Sequence, residues 1–286
     1  MPIFLFLAIL IFTVTQSAST KLYQKCGGDP LPFNAIKSSF AFLPFLVSMP
    51  FGFTFHLPTV FYGVIYGGLM SVSMICGYQA LKCGRMALKS MLVSFSVAIP
   101  LLYGICIGEE VTIFKIVGFC LLALTIVFMN LGKKSADKQS ESNKNNGKWW
   151  LFVGLTFFAN GISSVLQKVH QSEYPKLYVT ELMTVATCVC CVIFITLTIS
   201  KQGVQGWKEV RGKWYGVLAG VCTAIANFCT TTLAGFESAT LLFPMITAGT
   251  IVLTIVCGRT VFKENFKANH YFAIVCGICS VIFLKL

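Results

Sequence analysis

Apolar runs follow one another along almost the whole chain, and that succession restricts the fold more than any other feature. They lie at about 2–20, 33–51, 59–81, 87–107, 111–131, 149–166, 178–200, 215–234, 239–256 and 268–284. About 20 largely apolar residues are needed to cross the roughly 30 Å hydrocarbon core of a bilayer. Inside hydrocarbon each backbone N–H and C=O must be satisfied by protein, which an α-helix does within its own segment. The alternation of apolar and polar residues that marks the strands of a membrane β-barrel is missing from these runs. The expected fold is an all-α membrane protein with about ten transmembrane helices, and its first partner is the lipid bilayer. Composition agrees: 56% of residues are hydrophobic and 11% charged, where a soluble domain carries roughly 25% charged residues.

The runs form two sets of five. Residues 76–131, moved forward by 154 positions, fall on 230–285 without a gap. Ala80, Leu88, Met91, Gly104, Glu110 and Val127 then meet Ala234, Leu242, Met245, Gly258, Glu264 and Val281. Upstream, Tyr62, Gly63, Val64 and Gly67 match Tyr215, Gly216, Val217 and Gly220 at an offset of 153. Ser19 and Leu22 match Ser163 and Leu166 at an offset of 144, which sets Gln16 on Asn160. Such duplication in an apolar chain points to transporters, whose halves are related by a pseudo-two-fold axis. Five crossings per half turn the second half over. The expected organisation is two inverted five-helix repeats, 1–131 and 149–286. The linker between them, 132–148, reads GKKSADKQSESNKNNGK, a basic and flexible composition that cannot build a core. The first run ends in a Ser17-Ala18-Ser19 triplet that resembles a cleavage site. It lacks the positive segment of a signal peptide, and its counterpart at 149–166 lies mid-chain, so it reads as a span.

The formal charge is +12, from 22 Lys and Arg against 10 acids. No nucleic-acid motif accompanies it, so no nucleic-acid partner is expected; basic loops of a membrane protein account for it. Seventeen of the 22 basic residues fall in alternate connections beginning with the one after the first span, four on the other side, and Lys37 lies inside a span. Short basic loops stay cytoplasmic, so the count places both termini outside a plasma membrane.

Polar residues inside spans cost free energy in lipid and face a cavity or a partner. Gln16, Tyr78, Ser94, Asn160, Ser163, Asn227 and Thr247 are the candidate substrate contacts, with Thr231 and Thr250 among further polar positions. Lys37 and Glu181 occupy equivalent repeat positions with opposite charge and join that set. Either snorkels to its interface or meets substrate. Gly63 and Gly67, repeated as Gly216 and Gly220, have the spacing that lets helices approach closely, within the fold or across a homodimer face. Pro100 and Pro244 are expected to bend spans four and nine. Glu109 and Glu110 end span four and begin span five, since acids favour a helix N-terminus. His56, His170 and His270 lie near span ends without metal-ligand spacing, and most of the 13 cysteines fall in apolar runs as small hydrophobes. No catalytic constellation, metal site or cofactor motif is found, so the chain is not read as an enzyme.

Ala80-Leu81-Lys82, Pro100, Gly108-Glu109-Glu110 and then Gly118 in an apolar run, with Glu264 and Gly277 in the second half, resemble the EamA-type half-repeat of the drug/metabolite transporter superfamily. The second half departs from it at Thr254, where proline is expected. The resemblance implies a ten-helix permease for small organic metabolites, amino acids among them, with a central cavity between the repeats and both termini inside. Related small exporters carry a carboxylate in the first span; this chain has Gln16. The expected function is secondary-active transport, as an exporter of small polar metabolites. A membrane-embedded lipid-handling protein or enzyme is the alternative, and would cluster histidines and acids at one membrane face.

Overall fold

The computed structural model describes residues 3–26, 29–49, 54–83, 92–131, 146–203, 212–261 and 268–285. Within them every regular element is helical. Ten α-helices occur: α1 (Ile3–Lys25), α2 (Pro30–Ser48), α3 (Leu57–Cys83), α4 (Ala98–Cys106), α5 (Ile113–Leu131), α6 (Asn146–Glu173), α7 (Val179–Gln202), α8 (Lys213–Ala234), α9 (Ala239–Thr260) and α10 (Ala268–Lys285). Seven of them, α1, α2, α3 and α6 to α9, are long and apolar enough to cross a membrane; the apolar segments Leu92–Cys106, Ile113–Phe128 and Tyr271–Lys285 are shorter. The chain is a multi-pass helical membrane protein. Helix α1 shows why: Phe6, Ile9, Leu10 and Val14 are buried while Phe4, Leu7 and Ile11 are exposed, a helix apolar all round, as lipid demands.

The chain divides into two compact units, each discontinuous in sequence. Unit 1 comprises Met1–Ser71 and Leu166–Phe236, and unit 2 comprises Val72–Val165 and Glu237–Leu286. Each takes helices from both sequence halves, and α3 and α6 each contribute one end to either unit.

In unit 1, α2 begins where Asp29 Oδ1 accepts the Leu31 N–H at 3.4 Å. Pro30 takes the first helical position, where a missing N–H is harmless. Tyr23 of α1 stacks on Phe33 at 4.4 Å, and its hydroxyl donates to the Asp29 carbonyl. Helix α8 lies on α1 and α2, and α7 on α2. Both glycine pairs sit at close helix contacts inside this unit. A Cβ on Gly220 would stand 2.5 Å from the Lys37 carbonyl oxygen, and one on Gly216 2.9 Å from Ile36. On α3, a Cβ at Gly67 would meet the Ala186 carbonyl at 2.5 Å, and one at Gly63 would meet Val185 at 2.7 Å. The core between these helices is Ala41, Phe45, Tyr66, Leu182, Met183, Ala186 and Ala224.

In unit 2, α10 packs on α5 and α9 around Leu122, Ile126, Ala248, Ile251, Ile255 and Ala273. The Ser280 hydroxyl donates to the Gly118 carbonyl at 2.8 Å. Pro100 bends no continuous helix: it sits in the first turn of α4, just after a 3₁₀ turn at Phe95–Val97. The turn already alters the hydrogen-bond ladder where the proline would break it. Pro244 stays within a continuous α9.

Glu109 has a different role from the one its position suggests. Its Oε1 accepts the Ala239 N–H at 2.7 Å and its Oε2 the Thr240 N–H at 2.8 Å, so it caps α9 rather than starting α5. Ser238 makes no side-chain cap there, and a carboxylate at these free N–H groups also meets the positive end of the helix dipole. Gly104 leaves it room, because a Cβ there would lie 2.5 Å from Glu109 Oε2.

The linker is shorter than composition suggests, since α6 already begins at Asn146. The rest of the linker and Glu264 lie outside the described residues, as do the side chains of Lys82 and His270.

Candidate functional site

The polar groups that an apolar unit has most difficulty accommodating gather in unit 1. Lys37 is the eighth residue of α2, about 10 Å along the axis from its start. Its side chain is 7% exposed. Gly220 permits this placement by letting α8 press on the Lys37 carbonyl. Cys190 of α7 lies within electrostatic reach of Lys37, yet its thiol donates to the Gly67 carbonyl at 3.2 Å and its sulfur lies 3.4 Å from Ser71 Oγ. Among the described residues no hydrogen bond or ion pair of the Lys37 ammonium is found, and its nitrogen is not one of the fully enclosed unpartnered atoms, so it remains reachable.

Cys190 is also within electrostatic reach of Tyr66 on α3. Tyr66 belongs to a second buried set. The Gln167 amide of α6 donates to Tyr66 Oη at 2.9 Å and to Thr231 Oγ1 of α8 at 2.8 Å. Gln167 is 4% exposed and Thr231 fully buried. Because both oxygens act as acceptors here, the Tyr66 and Thr231 hydroxyl hydrogens remain to be given elsewhere. Lys37, Tyr66, Cys190, Gln167 and Thr231 thus bring polar groups from α2, α3, α7, α6 and α8 into the interior of one unit.

A separate cluster occupies the ends of α3, α6 and α7 in the same unit. The His56 and His170 rings share the Thr59 hydroxyl, at 2.9 and 3.1 Å. Gln171 Oε1 accepts the Lys176 N–H at 3.1 Å, which leaves Gln171 Nε2 to donate to His170 Nδ1 at 3.1 Å and to the Leu177 carbonyl. His170 therefore carries its proton on Nε2 and donates to Thr59, which donates to His56 Nδ1. His56 stacks on Tyr178 at 4.4 Å and meets Tyr174 edge-on at 4.8 Å. Tyr62 donates to Glu173 at 2.9 Å. Glu181, in the first turn of α7, accepts the Thr54 N–H and hydroxyl, both at 3.1 Å. The turn between α6 and α7 places Lys176 and Tyr178 at φ of 63° and 54°, a left-handed conformation uncommon for side-chain-bearing residues. Gln171 and the histidines hold it.

The other candidates are dispersed. Gln16 and Asn227 are half-buried on α1 and α8 in unit 1. In unit 2, Asn160 Oδ1 accepts from Ser73 at 2.6 Å. Ser163 and Thr247 there donate to the Ala159 and Phe243 carbonyls of their own helices. Tyr78 and Ser94 are half-buried in unit 2. Gln16 and Asn160, equivalent by repeat, fall in different units. Sequence reasoning missed Gln167 and Tyr66, although Gln24-Lys25 recurs as Gln167-Lys168 at an offset of 143. It also kept the histidines apart; 114 positions separate His56 from His170.

No family model matches the sequence, and no curated protein matches it. Chains of solved structures do match. One, a crystal structure of a protein at 14% sequence identity, covers 99% of this chain and 96% of its own length with a TM-score of 0.76. At that identity the likeness concerns the fold alone: this chain and that protein share a backbone architecture from end to end.

Proposed function

We propose that the chain is a secondary-active transporter of small polar organic metabolites, amino acids among them, working as an exporter in the plasma membrane. The observation that carries the reading is the buried polar centre of unit 1, above all Lys37. A charge inside a membrane-spanning helix is costly and marks a substrate or ion path by default. The duplicated sequence halves and the resemblance of Gly108-Glu109-Glu110 and its surroundings to the EamA half-repeat support it.

His56, His170, Glu173 and Glu181 do gather at the ends of α3, α6 and α7, as the enzyme alternative calls for, but their bonding favours an anchoring role. Both His170 ring nitrogens are engaged and the residue is fully buried, so no reacting atom reaches it. One carboxylate oxygen of Glu181, Oε1, takes both Thr54 hydrogens. These residues anchor the connector before α3 and the turn before α7.

Counterflow uptake into proteoliposomes, screened over labelled amino acids, hydroxy acids, sugars and nucleosides, tests the proposal. Saturable uptake of at least one class, absent from empty liposomes, is the expected result. No uptake of any class overturns it.

A further inference from the structure

We infer that the substrate carries a carboxylate and that Lys37 is the group that binds it; this rests on the transporter reading above. Six of the ten acids lie among the described residues: Asp29, Glu109, Glu110, Glu173, Glu181 and Glu237. Every one is at a helix end or in a turn. Asp29 bonds Leu31 and Gln202, Glu109 caps α9, Glu173 accepts from Tyr62 and Glu181 from Thr54. None of them lies in the interior of a helix beside Lys37.

The Cys190 thiol within electrostatic reach of Lys37 already gives its hydrogen to the Gly67 carbonyl, and a thiol carries no negative charge to balance the ammonium. An ammonium has three hydrogens to donate and accepts none. A buried charge is retained when it is paired, and removing its partner is strongly destabilising. The partner that the described part of the fold does not supply is a mobile anion. Tyr66 and Thr231, whose hydroxyl hydrogens are spare once Gln167 has donated to both oxygens, add donors of the kind a carboxylate accepts. Cys190 lies within electrostatic reach of both Lys37 and Tyr66.

The test uses the full-length protein, in detergent for ligand-induced thermal shift and in proteoliposomes for counterflow. Lactate, malate and L-serine are compared with lactamide, malamide and L-serinamide, and inorganic phosphate and glycerol 3-phosphate form a second arm. At least one carboxylate is expected to raise the Tm and to enter by counterflow, with its amide about thirtyfold weaker or worse. Lys37→Gln is expected to lose that preference by a similar factor, and Lys37→Arg to keep part of it. If Lys37→Gln does not fold, the acid and amide comparison on the unmodified protein decides alone.

Amides binding as well as acids, or Lys37→Gln responding to carboxylates like the parent, overturns the assignment. So does binding of phosphate or its ester with none of carboxylates. Uptake of sugars or nucleosides alone would leave the transporter reading standing and remove the inference. A Lys37-dependent thermal shift by carboxylates without counterflow would keep the anion site and remove the transporter reading.

Discussion

Thr59 illustrates how much a single hydroxyl can organise. It takes a hydrogen from His170 and gives its own to His56, joining the connector before α3 to the end of α6. Thr59→Val keeps the shape and removes both functions, leaving the buried His170 N–H without an acceptor. The expected loss is about 1–3 kcal/mol, the cost of one orphaned buried donor. Thr59→Ser should recover most of it. Thermal unfolding of the two variants in detergent, beside the parent, checks the ordering; equal Tm values for Val and Ser would show the hydroxyl to be dispensable. Little of this was visible in the chain itself. An apolar run reports its own burial, but a hydrogen bond between residues 59 and 170 depends on how distant segments meet. Glu109 shows the same limit: its sequence neighbours suggest α5, whereas its partners are the first N–H groups of α9.

At the scale of helices, the small-residue pairs hold a geometry that no other side chain permits. Gly67 and Gly68 are adjacent on α3 and make a built-in comparison. A Cβ on Gly67 would stand 2.5 Å from the Ala186 carbonyl, while one on Gly68 would meet nothing within 4 Å. Gly67→Ala must push α7 away and is expected to destabilise by about 1–3 kcal/mol, the range for overpacking. Gly68→Ala is expected to be neutral or to stabilise slightly, since Ala is the better helix former by up to about 1 kcal/mol. Yield of monodisperse protein and Tm for the two variants measure this; a tolerated Gly67→Ala would mean that α3 and α7 are not in contact at that level. Here the sequence was informative. The four-residue spacing and its repetition announced close helix contacts, and the helix limits follow the apolar runs closely. The exceptions are α1, which reaches Lys25 beyond the run ending at 20, α6, which extends to Glu173 beyond the run ending at 166, and the segment before α4, where a 3₁₀ turn interrupts the helix.

For the whole molecule, sequence halves and compact units are different partitions. The two repeats read from the sequence, 1–131 and 149–286, do not coincide with the compact units, each of which uses parts of both. A half expressed alone lacks the partners for its buried faces: α2 without α7 and α8 exposes Lys37 and Ala41. Fragments divided within 132–145 should each be degraded when made singly and should yield protein when made together. Stable accumulation of either fragment alone would show the half to be self-sufficient. Orientation is a property of the same scale. The proposal that both termini lie outside predicts that a cysteine placed in the 132–145 segment resists impermeant maleimide in intact cells and reacts in inside-out vesicles. Labelling from outside would reverse the assignment.

The position of Lys37 also bears on biosynthesis. Helix α2 is the least apolar of the seven long spans, and its lysine opposes insertion by up to roughly 2.5–3.5 kcal/mol. Gly220, which closes α8 over it, is synthesised roughly 180 residues later. At about 5–20 residues per second the ribosome needs roughly 10–40 s to cover that distance. Until α7 and α8 are made, α2 has to be held by the insertion machinery or by snorkelling of the lysine towards the headgroups. This interval, rather than any feature of the finished fold, is where the nascent chain is most exposed to quality control.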